Sequence, residues 1–477
     1  YLGICDADYF KVLHKVTKPD TCIGYVFNNI SYKYAYIPNC KAIFYHPEET
    51  KDKINRAREA IINDSLGSYK SPGSNIIHFE CYPKTEYEIN KELTKLLHYP
   101  ALTCDIETYS LHHVDAGLGS ICFCWDEHNG IAFKIDKDSF TKNTPVRKLL
   151  RAFFIFYKGT LIFHNIAFDV TVLIYQLFMK DILDTKGLLY GLDVMLKNWE
   201  DTKLITYLCT NSCSGNNLGL KYQAQEFAGN WAEDEIGDIT KIPQEELLRY
   251  NLIDGLSTWF VYNKYKDKLI QDKQDKLYNT IFKGTTKDII QMQLTGIPLN
   301  MDKVKEAEVK LNQDKDNAVN ILINNKHIKD FTLVLKQSWV DTYNATHTKK
   351  QVTIQDSPIE FNPNSGKQIK ELLYDNLHLP VINLTESKQP ATDGDTLKAL
   401  MNHVQSQDIK DILQALIDYS AAEKILTAFI PAFKKAVPAC DGRSYLYGSF
   451  NLGGTVSGRL SSSKPNLQNL PATGSKY

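Results

Sequence analysis

The sequence has no hydrophobic run long enough to cross a membrane, and it has almost no net charge. No apolar stretch approaches the roughly 20 residues that a membrane-spanning helix needs, and residues 1–20 lack the apolar core of a signal peptide. The 55 basic and 56 acidic side chains give a formal net charge of −1. This balance excludes a uniformly basic nucleic-acid-binding protein. An acidic metal site and a basic groove can still cancel within one chain.

Cysteines in a metal-binding or redox spacing are also missing. The ten cysteines are scattered, and their closest groupings, Cys122-x-Cys124 and Cys209-xxx-Cys213, match no zinc or thiol-redox motif. We therefore expect reduced thiols in a cytoplasmic protein. With 43% hydrophobic and 23% charged residues, the chain has the composition of a globular protein. Its 477 residues fit about three domains of roughly 150 residues each.

The pattern of apolar residues changes along the chain. An α/β region with a helix over 48–64 comes first, and it is followed by alternating buried strands and helices. Asn129-Gly130 lies between apolar flanks and predicts a hairpin. A mostly helical part follows, with a break at the Gly-Ile-Pro of residues 296–298, and the last part has the pattern of β-ribbon and loop. The predicted divisions are 1–98, 99–275, 276–440 and 441–477.

The first candidate site residues are two acids at the end of a predicted strand. Asp105 and Glu107 stand two residues apart, so a strand projects both from one face. A D-x-E triplet alone is weak evidence, because about one or two arise by chance in a chain this acidic. The apolar residues 101–104 place this pair beside a core, where uncompensated carboxylates are costly. The setting therefore predicts a metal or a basic partner.

Two further pieces of sequence supply acids at helical positions. Asn165 and Asp169 lie where a predicted strand gives way to a helix. The structural alternative is that Asn165 caps the helix and Asp169 lies in its first turns near the positive dipole end. Tyr250 and Asp254 lie four residues apart on a helix predicted after Pro243, so they share a face. The alternative there is a packed tyrosine and a solvent-exposed aspartate.

The order D-x-E, N-x-x-x-D and Y-x-x-x-D resembles the DEDD-type 3′–5′ proofreading exonucleases, in the variant whose fifth residue is tyrosine. All three motifs occur here without substitution, and Thr108 fits the same signature. The resemblance implies an α/β, ribonuclease H-like domain with a mixed sheet. It also implies two divalent ions, Mg²⁺ or Mn²⁺, which carboxylate oxygens suit. The implied substrate is the 3′ end of single-stranded DNA.

The same resemblance implies a role for each acid. Asp105 would bridge both ions, Glu107 and Asp254 would bind one of them, and Asp169 would reach the other largely through water. Tyr250 would orient the attacking water, with help from Glu107. Two such ions supply a hydroxide near pH 7 and neutralise charge on the departing 3′ oxygen.

Three residues beside these acids complete the expected site. Thr108 and Asn165 are expected to contact the DNA strand. His164 could serve as a catalytic base, but its place at a strand end before Asn165 favours a packed histidine.

The stretch "TVSGRLSSSKPNLQNLP" near the C-terminus resembles the family A DNA polymerase pattern T-x-T-G-R-L-S-S-x-x-P-N-L-Q-N-I-P almost letter for letter. Upstream, "FNPNSGKQIKELLYDNLHLPV" and "YSAAEKILTAFIPAF" are similar to further patterns of that family. The resemblance covers about residues 99–477. It implies a mostly helical thumb at 276–440 and the start of an α+β palm at 441–477. A polar turn, the structural alternative, would not require this arrangement of one arginine and three amides.

The residues of this motif are expected to hold a primer–template duplex. A polymerase must bind any correctly paired end, so its contacts go to phosphates and to minor-groove acceptors that all base pairs share. Arg459 can donate to either kind of acceptor, and Lys464 adds positive charge. The other DNA-binding residues expected in the motif are Thr455, Asn466, Gln468 and Asn469.

The motifs of the polymerase catalytic centre are absent from these 477 residues. In the family the metal-binding aspartates lie after the primer-binding motif, in "D-[YF]-S-x-[IL]-E" and "H-D-[EA]". We therefore expect the N-terminal part of a replicative polymerase, which synthesises DNA when its palm and fingers are present. The alternatives are a natural split subunit, a stand-alone nuclease, and a DNA-binding replisome protein with an inactive nuclease site.

Composition favours a phage source. The chain is rich in Lys, Asn, Ile and Tyr, which indicates an AT-rich genome, and it has no obvious 5′-nuclease domain. The bacterial host cytoplasm is then the expected location. A processivity factor is an expected partner, and residues 1–98 carry no recognisable chemistry.

Overall fold

The structure is a computed structural model, and it describes every residue except 17, 46, 137–141, 211–216, 232–237, 348–350 and 471–477. The chain divides into two compact units. The first unit comprises Tyr1–Gly296 and Ser449–Ser463, and the second comprises Ile297–Gly448 and Lys464–Tyr477. Across the described ranges, no helix is both long enough and apolar enough to cross a membrane.

A small sheet and two helices begin the first unit. The elements are β1 (Leu2–Ile4), α1 (Ala7–His14), β2 (Phe27–Asn28), β3 (Lys33–Tyr36) and α2 (Pro47–Ser65). The strands lie in the order β1-β3-β2, with β1 parallel and β2 antiparallel to β3. Phe10 of α1 packs against Phe27 and Tyr36 in a small aromatic core. The bounds of α2 confirm the helix predicted over 48–64.

A six-stranded mixed sheet forms the centre of the first unit. Its strands are β4 (Phe79–Cys81), β5 (Ala101–Glu107), β6 (Leu118–Cys124), β7 (Asn129–Asp136), β8 (Thr160–Phe163) and β9 (Trp199–Asp201). They lie in the order β4-β7-β6-β5-β8-β9. Strand β6 is antiparallel to both β5 and β7, whereas β8 is parallel to β5 and to β9. The predicted mixed α/β architecture is confirmed.

Helices cover both faces of this sheet. They are α3 (Glu86–Leu96), α4 (Pro145–Phe156), α5 (Ile166–Leu177), α6 (Thr185–Met195), α7 (Thr202–Cys209), α8 (Leu220–Gln223), α9 (Gln225–Ala228), α10 (Gln244–Gln271), α11 (Asp275–Leu277) and α12 (Lys283–Thr295). A π-helical turn, Tyr278–Phe282, joins α11 to α12. Alternate residues of β5, such as Leu102 and Ile106, enter the core with α3–α6. The intervening residues face α10, which packs on β5, β6 and β7.

The predicted hairpin forms, but Asn129-Gly130 is not its turn. Residues 125–128 make the turn, because the Asp126 carboxylate accepts hydrogen bonds from His128 N at 2.7 Å and Asn129 Nδ2 at 2.8 Å. Gly130 instead lies inside β7 opposite Cys124. A Cβ there would lie 2.6 Å from Cys124 Sγ and 2.8 Å from a methyl group of Leu252. The glycine therefore serves the close packing of α10 on the sheet.

The second unit is mostly helical, as predicted. Its helices are α13 (Met301–Asn324), α14 (Lys326–Thr346), α15 (Gly366–Lys370), α16 (Gly394–Leu400), α17 (Gln407–Ala428) and α18 (Ile430–Phe433), and a π-helical stretch, Glu371–Asn376, extends α15. Strands β10 (Ile297–Leu299), β11 (Val437–Pro438) and β12 (Ser444–Leu446) form an antiparallel sheet in the order β10-β12-β11. Leu322, Phe331 and Leu413 belong to the hydrophobic core of the second unit, which its helices form.

A hairpin of the C-terminal part belongs to the first unit. Strands β13 (Ser449–Asn451) and β14 (Ser461–Ser463) pair antiparallel, which confirms the β-ribbon and loop pattern. Phe450 N donates to Gln293 Oε1 of α12 at 2.9 Å. The hairpin thus packs against helix α12.

Replacing Gly255 of α10 with alanine is expected to destabilise the first unit by about 1–2 kcal/mol, although alanine favours helices. A Cβ at this position would lie 2.7 Å from Sγ of both Cys122 and Cys124. Gly284 of α12 is the matched control, because no atom beyond its chain neighbours and its own helix backbone lies within 4 Å of its Cβ position. Gly284→Ala should stabilise by up to about 1 kcal/mol. Denaturant unfolding measures both changes, and equal effects would contradict this account of the packing.

Candidate active site

Two acids of β5 and one acid of α10 meet on one face of the central sheet. One carboxylate oxygen from each of Asp105, Glu107 and Asp254 lies within 4.8 Å of the other two. Asp105 and Glu107 project together because they are two residues apart on a strand. Their side chains face α10, which supplies Asp254. The structure thus brings together Asp105 and Asp254, which are 149 residues apart in the sequence.

Close packing of α10 on the sheet places Asp254 at this point. The missing side chain of Gly255 leaves room for the Cys122 and Cys124 sulfurs. Thr103 Oγ1 of β5 donates to the Gly255 carbonyl at 2.9 Å, a fully buried hydrogen bond. Because Asp254 directly precedes Gly255, these contacts also fix the distance of Asp254 from β5.

Asn251 holds Asp105, and sequence reasoning did not identify it. Its Nδ2 donates to Asp105 Oδ2 at 2.7 Å, and its Oδ1 accepts from Ser120 Oγ at 3.1 Å. Asn251 is fully buried in the apolar face of α10, between Leu248 and Leu252. A buried amide is retained where its hydrogen bonds are met. An asparagine among the regularly spaced apolar residues of this helix is the sequence feature that could have indicated its buried role.

Asp169 lies at the edge of the three-acid group. It is buried in the first turn of α5, as predicted, and its Oδ1 accepts from Ile106 N at 3.3 Å. This bond places the carboxylate against the strand between Asp105 and Glu107. Among the described residues, the set of acids within 4.8 Å comprises the other three and does not include Asp169.

Tyr250 lies beside Asp254, one helical turn earlier. Burial raises the pKa of the Tyr250 phenol, and the charges of Asp254, Glu107 and Asp105 add to the shift. Lys221 Nζ lies 5.0 Å from the centre of the Tyr250 ring, within cation–π range. Trp231 Nε1 donates to Asp254 Oδ1 at 2.7 Å. Lys221 and Trp231 were not predicted, because only tertiary packing brings them here.

The electrostatics show a site that favours added positive charge. Burial raises the pKa of Asp105 well above its usual range, and repulsion from the neighbouring carboxylates adds to the shift. Burial and the charge of Asp254 raise the pKa of Glu107 to about 8. Burial raises the pKa of Asp254 to about 6, against the opposing effects of Lys221 and the Trp231 hydrogen bond. Burial likewise raises the pKa of Asp169.

Asn165 stands at the N-cap position of α5, but it does not cap the helix with its side chain. It adopts the left-handed conformation, with φ 72°. Asp201 satisfies the helix start instead, since its carboxylate accepts from Asn165 N at 3.0 Å and from Ile166 N at 3.1 Å. The Asn165 amide oxygen accepts from Lys203 Nζ at 3.1 Å. The structural alternative for Asn165 is therefore wrong, because a carboxylate from the end of β9 does the capping.

His164 is packed and hydrogen-bonded on both ring nitrogens. Nε2 donates to the Leu218 carbonyl at 2.9 Å, and Nδ1 lies 2.8 Å from Thr202 Oγ1. Burial lowers the pKa of this imidazole to about 3, with the charge of Lys203 acting in the same direction. Both ring nitrogens of His164 are therefore occupied by hydrogen bonds within the protein, which favours the packed histidine over a catalytic base.

Three predicted DNA contacts, Thr108, Thr455 and Arg459, lie in loops of the first unit. Thr108 follows β5, and its hydroxyl donates to the Ser110 carbonyl at 2.9 Å. Thr455 lies in the loop between β13 and β14, where its hydroxyl donates to the Arg459 carbonyl at 2.7 Å. That bond closes the loop and leaves the Arg459 side chain exposed. Tyr207 of α7 donates to the Thr455 carbonyl at 2.9 Å and anchors the loop.

The remaining predicted DNA contacts lie in the second unit. Lys464 has positive φ and an exposed side chain. Asn466 caps a short 3₁₀ turn, Leu467–Asn469, by accepting from Gln468 N at 3.2 Å. Asn466, Gln468 and Asn469 are exposed. Their amides are accessible to a ligand.

The donor set of the acidic group fits a hard divalent cation. Every candidate ligand is a carboxylate oxygen, the type that Mg²⁺ and Mn²⁺ prefer. Lys221 adds one positive charge beside Glu107 and Asp254, fewer than the negative charges gathered there. A divalent ion held by Asp105, Glu107 and Asp254 would offset the cost of their burial.

Comparisons with known proteins agree with the C-terminal motif. The sequence profile described as DNA polymerase family A matches residues 333–476. The DNA polymerase of Escherichia phage T5 is 24% identical over 460 residues, which cover 91% of this chain and 46% of that protein. DNA polymerase I of Borreliella burgdorferi is 24% identical over 90% of this chain and 42% of its own length. DNA polymerase I of Caldicellulosiruptor bescii is 38% identical over 111 residues, which cover 23% of this chain and 12% of that protein.

A solved structure shares the fold. It is the POL domain of Pol1 from M. smegmatis, in complex with DNA primer–template and dNTP. The match has a TM-score of 0.54 and 16% identity, and it covers 83% of this chain and 57% of that one. The chain is similar to family A DNA polymerases over residues 333–476 and, at 24% identity, over most of its length. It spans less than half the length of the curated relatives named above.

Proposed function

We propose that this chain supplies a 3′–5′ proofreading exonuclease and part of the DNA-holding surface of a family A replicative polymerase. The observation that carries the proposal is the meeting of Asp105, Glu107 and Asp254 on one face of a mixed sheet. Asp169 against the backbone of β5 supports it. The mixed sheet is the arrangement that a ribonuclease H-like nuclease requires. DNA synthesis is proposed for the whole polymerase, in which a palm and fingers supply the second catalytic centre.

The four acids, and the tyrosine and asparagine beside them, have distinct tasks in this proposal. Asp105, Glu107 and Asp254 would hold Mg²⁺ or Mn²⁺, and Asp169 would complete the charge that a second ion needs. Bound divalent ions supply a hydroxide near neutral pH and neutralise charge on the departing 3′ oxygen. Tyr250, one helical turn before Asp254, would orient the attacking water through its hydroxyl. Asn251 would keep the Asp105 carboxylate in one orientation.

The predicted DNA-binding residues would serve two strands. Thr108 and Asn165 lie at the ends of β5 and β8, beside the acidic group, where they would hold the frayed 3′ strand. In the first unit the exposed Arg459 would contact phosphates or minor-groove acceptors of a primer–template duplex. In the second unit Lys464 and the exposed amides of Asn466, Gln468 and Asn469 would make contacts of the same kind.

A cleavage assay on single-stranded DNA tests the nuclease. We expect the parent chain with Mg²⁺ to convert a 5′-labelled oligonucleotide into a ladder of products shortened from the 3′ end. The variant Asp105→Ala/Glu107→Ala should not do so. Glu245→Ala/Glu246→Ala is the matched control, because it removes two exposed acids from the first turn of α10. No shortening by the parent would contradict the proposal and favour a DNA-binding protein with an inactive site.

Replacing Arg459 with alanine is expected to weaken primer–template binding about equally for all sequences. If this arginine contacts a phosphate, the slope of log affinity against log salt concentration should fall by about 1. Fluorescence anisotropy at several salt concentrations measures both effects. Arg58→Ala removes an exposed arginine of α2 and should leave the slope unchanged. Equal slopes for both variants would contradict a role of Arg459 in duplex binding.

A further inference from the structure

We infer that the N-terminal part of the first unit, residues 18–76, positions the nuclease site by holding one segment of chain against it. That segment, residues 217–231, is here called the bridging segment. It contacts residues 18–76 on one side and the acidic group on the other. This inference rests on the proposed nuclease function, and it gives a task to a part of the chain whose sequence carries no recognisable chemistry.

Buried side chains attach the bridging segment to the N-terminal part. Gln225 is buried, and its Nε2 donates to the carbonyls of Thr21 and Ile23, each at 3.0 Å. The Tyr25 hydroxyl accepts from Asn230 N at 3.0 Å and donates to the Pro72 carbonyl at 3.3 Å, in the same region. Buried hydrogen bonds of this kind fix position, because each broken bond leaves a desolvated polar group.

Charged residues of α2 hold the middle of the segment. Lys53 Nζ lies 2.6 Å from carboxylate oxygens of both Asp20 and Glu49, and it also lies 5.5 Å from the centre of the Tyr222 ring. Burial raises the pKa of the Tyr222 phenol, and the neighbouring Glu49 carboxylate adds to the shift. Tyr222 adjoins Lys221, so its anchoring restrains the residue that approaches the acidic group.

Two glycines allow the two backbones to touch. Gly73 N donates to the Phe227 carbonyl at 3.0 Å, and a Cβ at Gly73 would lie 2.5 Å from the Ala228 carbonyl oxygen. A Cβ at Gly229 would lie 2.3 Å from the Tyr25 hydroxyl. Both glycines have positive φ. Residues 18–76 and the bridging segment are therefore closely packed, backbone against backbone, within one unit.

The opposite side of the bridging segment reaches the candidate active site. Trp231 donates to Asp254 Oδ1, and Lys221 lies over the Tyr250 ring. Ala228 packs with Ile76 and with Ile253, the residue before Asp254, in a small buried cluster. The bridging segment thus has its outer contacts in residues 18–76 and its inner contacts on Tyr250, Ile253 and Asp254.

Loosening the outer contacts should therefore disorder the inner ones without breaking the sheet. Small displacements of groups that orient reacting atoms can cost large factors in rate, while ground-state binding of a long DNA strand depends on many other contacts. Tyr25 and Gln225 act in this account as positioning residues, since neither touches the acidic group.

The test uses the full chain and the double variant Tyr25→Phe/Gln225→Leu. We expect faster hydrogen exchange in residues 217–231, unchanged exchange in β5 and β8, and a fall of about tenfold in kcat for 3′-end cleavage with KM for DNA within twofold. Tyr34→Phe is the matched control, because that hydroxyl pairs with His14 of α1, which lies outside the bridging segment. Tyr34→Phe should change neither the hydrogen exchange of residues 217–231 nor kcat. Should the double variant fold poorly, Tyr25→Phe alone removes a single oxygen and keeps the comparison with Tyr34→Phe.

Two results would overturn the inference. One is unchanged exchange in the bridging segment, and the other is faster exchange there with kcat within twofold of the parent. A parent chain that does not shorten DNA would instead remove the proposed nuclease function. The exchange measurement would then still decide whether residues 18–76 hold the bridging segment.

Discussion

Replacing Asp254 with asparagine is expected to lower the rate of 3′-end cleavage by about 10³-fold or more. Asparagine keeps the shape of the side chain and an oxygen for the Trp231 hydrogen bond, but it removes the negative charge. Divalent ions contribute several kcal/mol to stabilising a phosphoryl-transfer transition state, and each 1.36 kcal/mol is tenfold in rate. Loss of one charged ligand from a three-acid group should remove much of that contribution.

The same variant should remain folded. Because the pKa of Asp254 is raised to about 6 in the folded protein, its charge opposes folding at pH 8 in the absence of a cation. We therefore expect unfolding of metal-free Asp254→Asn at the parent's temperature or above. Glu246→Gln, an exposed acid two turns earlier on α10, is the control for charge alone and should retain parent activity. Activity of Asp254→Asn within tenfold of the parent would contradict the role of Asp254 as a metal ligand.

Metal-free protein is expected to lose stability as the pH rises from about 4 to 8, and Mg²⁺ should restore it. Asp and Glu titrate near 4 in an unfolded chain, whereas the pKa values of Asp254 and Glu107 are raised to about 6 and about 8 by burial and neighbouring acids. Between these limits the folded state binds more protons than the unfolded state. The contribution of Asp254 and Glu107 to the free energy of unfolding therefore falls with rising pH, and this part of the loss is complete above about pH 8.

Hydrogen exchange of β5 and α10 measures this effect locally, with Glu107→Gln as the reference. The difference between parent and variant isolates the contribution of Glu107 from those of other acids in the chain. At a Mg²⁺ concentration 100 times the dissociation constant, binding should stabilise the parent by about 2.7 kcal/mol. The variant should gain less. An identical pH dependence in both proteins, with an identical response to Mg²⁺, would show that Glu107 does not belong to a cation site.

The acidic group could be predicted because local rules place its members. Asp105 and Glu107 follow from the two-residue period of a strand, and Tyr250 and Asp254 follow from the four-residue spacing of a helix. The helix after Pro243 and the strand ending at Glu107 both form as the patterns indicated. The resemblance to a known motif then related pieces that no local rule connects.

Residues whose positions depend on packing could not be predicted in the same way. Asn251 contacts Asp105 only because the glycine at 255 lets α10 approach β6 closely. Asp201 caps α5 from a different strand, whereas the structural alternative drawn from the sequence placed Asn165 in that role. Trp231 follows α9 and lies outside any helix or strand. These contacts are set by how elements pack, and a single sequence contains no direct record of that.

The extent of the sheet was also beyond the sequence pattern. Strand β4 lies before residue 99, yet it pairs with β7 at the edge of the central sheet. Helix α3 places Ile89, Leu93 and Leu96 in the core of the same sheet. The change of composition at residue 99 marked the start of the buried central strand β5, and a short edge strand with exposed residues gives little signal.

The most direct test of the account is a structure of this chain crystallised with Mn²⁺ and a short single-stranded oligonucleotide, with the metal located by anomalous scattering. We expect a Mn²⁺ peak bound by Asp105, Glu107 and Asp254, with the 3′-terminal phosphodiester beside it. A saturating Mn²⁺ concentration that leaves these three carboxylates without a bound metal would contradict the central claim.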